Sequence, residues 1–205
     1  MIDTLKLKKN SDTVFIIGGG PSILKYLPDT SVLLGKDIIC TNNAYLLYPE
    51  AMILFFMDKY WFNNHEKKIK EVFQGTTVTC DNTQKKFFLE NGVEHVFLRG
   101  ENRGLSSALD KLNGCNSGHM SINLAALMGY KKIVLLGFDM NVQVEKSHYH
   151  DGHPRETKKD RYTTHFLPGM KSIAPLQEQF VIKIYNINRE SAIRDFEFAD
   201  LEQFL

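Results

Sequence analysis

Five consecutive residues, Gly18-Gly19-Gly20-Pro21-Ser22, have the types needed to hold a phosphate. Glycines let backbone amides approach an anion closely because no Cβ stands in the way. Pro21 and Ser22 suit the first positions of a helix, whose free N–H groups and positive end would face the same anion. The spacing is neither Gly-x-Gly-x-x-Gly nor that of a P-loop. It therefore points to a phosphate or nucleotide without naming one, and a plain strand-to-helix turn shows the same local pattern. Asn42-Asn43, Asp58 and Asp139 are further polar residues at the ends of apolar runs. Paired amides both donate and accept, as reading a base or ribose requires, although Asn is also a common turn residue. Asp58 and Asp139 could take a ribose hydroxyl or a metal ion, and a helix cap would use Asp58 equally well.

The stretch Ser147-His148-Tyr149-His150-Asp151-Gly152-His153-Pro154 places three histidines within six residues, with His165 downstream. Histidine titrates near neutrality and can serve as a general acid or base. Metal ligation is an alternative, but no Cys or Glu completes a recognisable zinc set, and no metal site is expected. A solvated mobile loop that happens to be His-rich is a second alternative, and a lid that carries a catalytic or phosphate-facing histidine is the favoured reading.

Positioning these groups is the task of alternating strand and helix patterns. Apolar runs at 14–17, 36–41, 51–57, 76–80, 94–98, 132–137 and 183–187 read as strands. Helical spacing marks 60–73, 84–90, 117–128 and 173–183, with Ser117 as the expected cap of the third and Gly129 after its end. Residues 99–115 read as irregular. Residues 141–171 are polar and aperiodic, and so long a stretch inside a compact domain is expected to be a mobile lid or binding loop. Alternation of this kind predicts an α/β fold: one Rossmann-like, three-layer domain over residues 1–205, with a mostly parallel central sheet. Ligands of such sheets bind at the carboxyl ends of the strands. Gly18 to Ser22, Asn42-Asn43, Asp58 and Asp139 all fall there. Asn116, Ser117 and Gly118 add a second helix start open to an anion.

Composition narrows the partners. The chain has 205 residues, a formal charge of +1 and 43% hydrophobic residues, which fits a soluble globular protein. No basic stripe interleaves with aromatics, so nucleic acid is not an expected partner. No apolar run reaches the roughly 18 residues of a membrane span, and the first residues show neither a long apolar core nor a cleavage pattern. The three cysteines, Cys40, Cys80 and Cys115, are far apart and odd in number, which suits a reducing, cytoplasmic setting. Oligomeric state is not legible.

Several segments together resemble a known superfamily. Gly-Gly-Gly-Pro-Ser-Ile, the Asn after the second strand, Asn116-Ser117-Gly118-His119-Met120 through Leu136-Gly137-Phe138-Asp139, and Ser147-His148-Tyr149 to Gly152-His153 occur in this order. The pattern is similar to Rossmann-like proteins that include bacterial lipooligosaccharide sialyltransferases and archaeal 6-hydroxymethyl-dihydropterin diphosphokinases. Met57-Asp58-Lys59-Tyr60-Trp61-Phe62, His148-Tyr149-His150-Asp151-Gly152-His153-Pro154 and Tyr185-Asn186-Ile187-Asn188-Arg189-Glu190-Ser191-Ala192-Ile193 look nearest to its phage- and prophage-encoded members. The likeness covers nearly the whole chain.

The resemblance implies roles. In the sialyltransferases the glycine loop, the Asn after strand two and the Ser-Gly helix start hold a cytidine nucleotide sugar; the matching residues here are Gly18 to Ser22, Asn42, and Asn116 to Gly118. Their general base lies in a Gly-His step that matches Gly152-His153, with His150 as the reserve because the loop here is one residue longer. The implied activity is an inverting glycosyl transfer from a CMP- or CDP-type donor to a glycan acceptor, with no metal cofactor. Two positions depart: Gly19 stands where the sialyltransferases carry Asn, and Asn141 where a Tyr supports the leaving phosphate. Two further readings stay open. One is a magnesium-dependent diphosphokinase with Asp58 and Asp139 on metal and phosphates. The other is a non-catalytic, phage-associated protein that binds a nucleotide.

Overall fold

The computed structural model describes residues 2–141, 149 and 159–205. The chain runs through α1 (Ile2–Lys6), β1 (Thr13–Ile17), α2 (Ile23–Tyr26), β2 (Asp37–Thr41), β3 (Ile53–Phe56), α3 (Lys59–Val72), β4 (Thr76–Cys80) and α4 (Lys85–Glu90). It continues with β5 (His95–Arg99), β6 (Lys111–Leu112), α5 (Ser117–Leu127), β7 (Lys132–Leu136), α6 (Lys159–Arg161), α7 (Leu167–Lys171), β8 (Lys183–Asn186) and β9 (Glu197–Phe198). The strands form one sheet in the order β6-β5-β4-β3-β2-β1-β7-β8-β9. Every pairing is parallel.

A parallel sheet is covered on both faces, so its strands read as unbroken apolar runs. β1 illustrates this. Val14 and Ile16 enter one core together with Ile39, Phe55 and α5, whereas Phe15 and Ile17 enter the other with Cys40, Phe56 and Trp61. Helix α5 is buried almost all round, which is why Ser121, Ala125 and Gly118 are small where it lies on the sheet. No helix among the described residues is long and apolar enough to cross a membrane.

The structure departs from the sequence reading in four places. Residues 159–171 are helical rather than aperiodic: α6 passes into a π-helical turn, Tyr162–Phe166, and then into α7. Buried Tyr162 and Met170 anchor this segment, and the π-helical turn between them breaks the 3.6-residue period. The glycine at 169 lets α7 come onto α5, since a Cβ there would lie 2.3 Å from Cys115 Sγ. The helix expected over 173–183 is instead a 3-10 turn, Ala174–Leu176, followed by single turns, and the left-handed Val181 (φ 54°) stops any continuation. Three short elements, α1, β6 and β9, were not expected; two-residue strands carry no period to detect. Lastly, Asn116 rather than Ser117 caps α5, its side-chain oxygen accepting from the His119 amide at 2.9 Å.

Buried side chains of α5 hold down the irregular stretch 99–115. Asn123 Oδ1 accepts from the amides of Ser106 and Asn113, both at 2.8 Å, and its Nδ2 donates to Ser106 O. His119 Nε2 lies 2.8 Å from the Gly104 carbonyl. A carbonyl only accepts, so Nε2 carries the proton and Nδ1 faces the Cys115 thiol with its lone pair. Burial pushes this imidazole down to about 4. The unfolded chain takes up the proton near 6.5 and the folded chain only near 4. The unfolded state therefore binds more protons between those values, and stability falls as pH falls through that window. The loss attributable to His119 is about 2–4 kcal/mol. Melting curves of His119→Gln are expected to show a shallower acid limb than the unmodified protein between pH 7 and 4; parallel limbs would mean that His119 is not held neutral.

Candidate functional site

The strand order turns back between β1 and β7: β2 to β6 extend on one side of that pair, β8 and β9 on the other. Loops leaving the sheet to opposite faces open a crevice at such a switch point. A cleft of about 280 Å³ lies there. Its walls come from Gly18–Gly20 after β1, Thr41 at the end of β2 and Asn42 after it, Met57 and Asp58 after β3, and Gly137–Asn141 after β7. Cys115 and Asn116 before α5 and Ser117 and Gly118 at its start contribute, as do Trp61 in the first turn of α3, Arg161 at the end of α6, and Tyr162 and Phe166 in the π-helical turn.

The glycine loop is built for contact with β7. Gly18 N donates to Leu136 O at 2.7 Å and Gly20 N to Gly137 O at 2.9 Å. A Cβ on Gly18 would lie 2.7 Å from Gly137 O, and one on Gly20 would lie 1.7 Å from Asp139 Oδ2. These two amides, expected to face a phosphate, are spent inside the protein. Ser22 donates its amide to Asp139 Oδ1 at 3.3 Å and its hydroxyl to Oδ2 at 2.9 Å. Asn188 Nδ2 donates to Oδ1 at 2.9 Å. The anion at the start of α2 is thus the protein's own Asp139. Burial raises its carboxyl above the ordinary aspartate range, against the pull of the Ser22 hydrogen bonds. Neither Pro21 nor Ser22 lines the cleft; Ser22 fastens the glycine loop to the end of β7.

Asp58 lines the cleft and caps α3, with Oδ1 accepting from the amides of Tyr60 at 2.7 Å and Trp61 at 3.2 Å. Asn42 also lines it, in a left-handed conformation (φ 49°), and its Oδ1 accepts from Ser117 Oγ at 3.2 Å. That contact ties the end of β2 to the start of α5. Asn43 turns inward instead: its side chain accepts from Trp61 Nε1 at 2.6 Å and its carbonyl from Tyr149 OH at 2.6 Å. It is buried and off the cleft wall. Asn116, Ser117 and Gly118 line the cleft as expected. Ser117 and Gly118 are the first two residues of α5, whose N–H groups have no acceptor within the helix. Gly118 allows Phe138 to pack on the helix, since a Cβ would lie 2.7 Å from Phe138 Cε1. His150 and His153 lie outside the described residues, as does His148. Tyr149 is described, and its amide donates to Gly19 O at 3.0 Å. Among the described residues no group of three His, Cys, Asp or Glu could hold a metal ion.

Sequence reasoning missed Trp61 and the residues of the π-helical segment. Trp61 was detectable, because it sits in the first turn after the strand-end Asp58. Arg161, Tyr162 and Phe166 carried a weaker signal: the two aromatics are four apart, and their rings meet edge to face at 5.4 Å.

No protein-family model matches the chain, and no curated protein sequence matches it. Solved structures do. The sialyltransferase CST-II, crystallised with a trisaccharide acceptor and CMP, superposes with a TM-score of 0.57 at 17% identity, over 92% of this chain and 86% of that one. The monofunctional α-2,3-sialyltransferase Cst-I from Campylobacter jejuni superposes with a TM-score of 0.59 at 15% identity, over 94% and 82%. An α-2,3-sialyltransferase from Campylobacter jejuni in apo form gives 0.54 at 16%, over 93% and 81%. The fold is shared with these sialyltransferases. At such identities the likeness is one of architecture, and function rests on the residues of the site.

Proposed function

We propose that this chain is a sialyltransferase-like glycosyltransferase that takes a cytidine nucleotide sugar in the switch-point cleft and needs no metal ion. The observation that carries the reading is the cleft itself. It is framed by Asn42 and the open start of α5, on a fold shared with a protein crystallised with CMP and a trisaccharide acceptor. Because Gly18 and Gly20 spend their amides on β7, the phosphate is assigned to Ser117 and Gly118, where unpaired N–H groups and the positive helix end coincide. In the transfer step an acceptor hydroxyl oxygen forms the new bond to the anomeric carbon. The bond from that carbon to the phosphate oxygen breaks, and CMP leaves with the electron pair. His153, with His150 in reserve, takes the hydroxyl proton. Hydrogen-bond donors at the phosphate can neutralise the leaving charge without a metal ion. The magnesium alternative fits less well: both oxygens of Asp139 are held by Ser22 and Asn188, and Asp58 Oδ1 is held by two amides.

Incubating the protein with CMP-sialic acid and a panel of glycans in EDTA tests the reading. Release of CMP with formation of a sialylated product is expected. Binding without turnover would favour a non-catalytic nucleotide-binding protein, and pyrophosphoryl transfer from ATP that requires magnesium would favour the diphosphokinase.

Asn42 gives a sharper check, because its two roles separate. Asn42→Ala is expected to lose about 1–2 kcal/mol of stability by placing a Cβ-bearing residue without a stabilising amide at positive φ. Asn42→Gly relieves that strain. Both are expected to weaken CMP binding by about 1–3 kcal/mol, the cost of an unmet buried hydrogen bond. Calorimetry showing full affinity in Asn42→Gly would reduce Asn42 to a turn residue.

A further inference from the structure

Arg161 is the only cationic side chain that lines the cleft among the described residues. It is exposed, and among the described residues no carboxylate pairs with it. The two carboxylates that share the cleft wall are engaged elsewhere, Asp58 on the α3 amides and Asp139 on Ser22 and Asn188. The guanidinium is presented from a firm base. It ends α6 and precedes the π-helical turn, whose Tyr162 is buried and whose Phe166 also lines the cleft. Isolated π-turns in helices recur at functional sites, because the extra residue redirects the side chains beside it. Gly169, next in α7, lets the whole segment pack against Cys115 at the start of α5. A guanidinium with no carboxylate partner among the described residues is therefore held at the same cleft as the helix start that exposes the amides of Ser117 and Gly118.

We propose that Arg161 is an anion-recognising residue of this cleft, closing on the phosphate of a bound nucleotide opposite the α5 amides and discriminating nucleotides from nucleosides. Guanidinium and phosphate match in geometry and charge, and an Arg can make two parallel hydrogen bonds to one phosphate. The proposal deepens the nucleotide reading and rests on it for the choice of cytidine as probe. It also adds a ligand contact from a part of the chain whose sequence shows no motif.

The test uses the chain's single tryptophan, Trp61, which lines the cleft and reports its occupancy by fluorescence. The protein and its Arg161→Ala and Arg161→Lys variants are titrated with CMP, cytidine, AMP, GMP, UMP and pyrophosphate. Alanine is a good helix former at an exposed position, so the variant is expected to fold. The expected result is that the unmodified protein prefers CMP over cytidine. Arg161→Ala should lose about tenfold or more in CMP affinity, the worth of a charge-assisted hydrogen bond, while cytidine binding is unchanged. Arg161→Lys should retain part of the preference. An undiminished preference in Arg161→Ala would overturn the proposal and leave the nucleotide reading standing. If cytidine compounds fail but another phosphate compound binds and loses affinity in Arg161→Ala, the cytidine reading falls and the role of Arg161 stands. If no phosphate compound binds the unmodified protein, both fall.

Discussion

Replacing His153 with alanine is expected to lower turnover by about 10²–10⁴-fold and to leave CMP affinity nearly unchanged, because a general base acts on the acceptor proton in the transition state. Histidine as a side-chain type is suited to taking a hydroxyl proton at neutral pH, and the Gly152-His153 step resembles the Gly-His step of the sialyltransferases. The residue lies outside the described part of the structure, so the assignment is tested by kinetics rather than by geometry. His150→Ala, measured in parallel, is the control. A fall confined to His150→Ala would move the base to that residue. Full activity in both variants would remove histidine from the chemistry. Loss of CMP affinity to the same extent as turnover would make His153 a binding residue.

Gly20→Val is expected to cost stability rather than ligand affinity alone. The new Cβ would lie 1.7 Å from Asp139 Oδ2 and 2.6 Å from the Gly137 carbonyl, so the end of β7 must move. Overpacking of this kind costs about 1–3 kcal/mol, and a buried carboxylate parted from its donors costs about as much again. For a chain of this size the sum corresponds to a fall in Tm of about 10 °C. Ser22→Ala, which removes only the 2.9 Å hydroxyl contact to Asp139, should show a smaller fall of the same sign. A Gly20→Val variant that melts with the unmodified protein yet no longer binds CMP would show that the glycine loop meets the ligand after all.

The contrast between those residues shows what the sequence carries. The alternation of buried strands and helices was legible because parallel strands, covered on both faces, print continuous apolar runs such as Val14-Phe15-Ile16-Ile17. The carboxyl-edge rule then located the cleft, since Gly18, Asn42, Asp58 and Asp139 all line it. Which polar group faces a ligand was not legible. The type and spacing of Asp139 are those of a ligand residue, but Asn188, 49 positions away in sequence, claims one of its oxygens. Asn43 fits a base reader until the Trp61 indole fills its side-chain acceptor. Such assignments depend on contacts between distant segments, which neither period nor motif records. Arg161 was hidden for the opposite reason: a π-turn breaks the spacing of 3.6 by which helices are read, and the polar residues around it mimic a loop.

A cytidine nucleotide in the switch-point cleft would lie between Asn42 and the start of α5. Amide hydrogen exchange, measured with and without CMP in EDTA at a concentration calorimetry shows to be saturating, tests this placement most directly. New protection is expected in peptides that cover Asn42 and Asn116 to Gly118, with little change at the β6 edge of the sheet. Saturating CMP that leaves those peptides unprotected, or no heat of CMP binding at all, would contradict it.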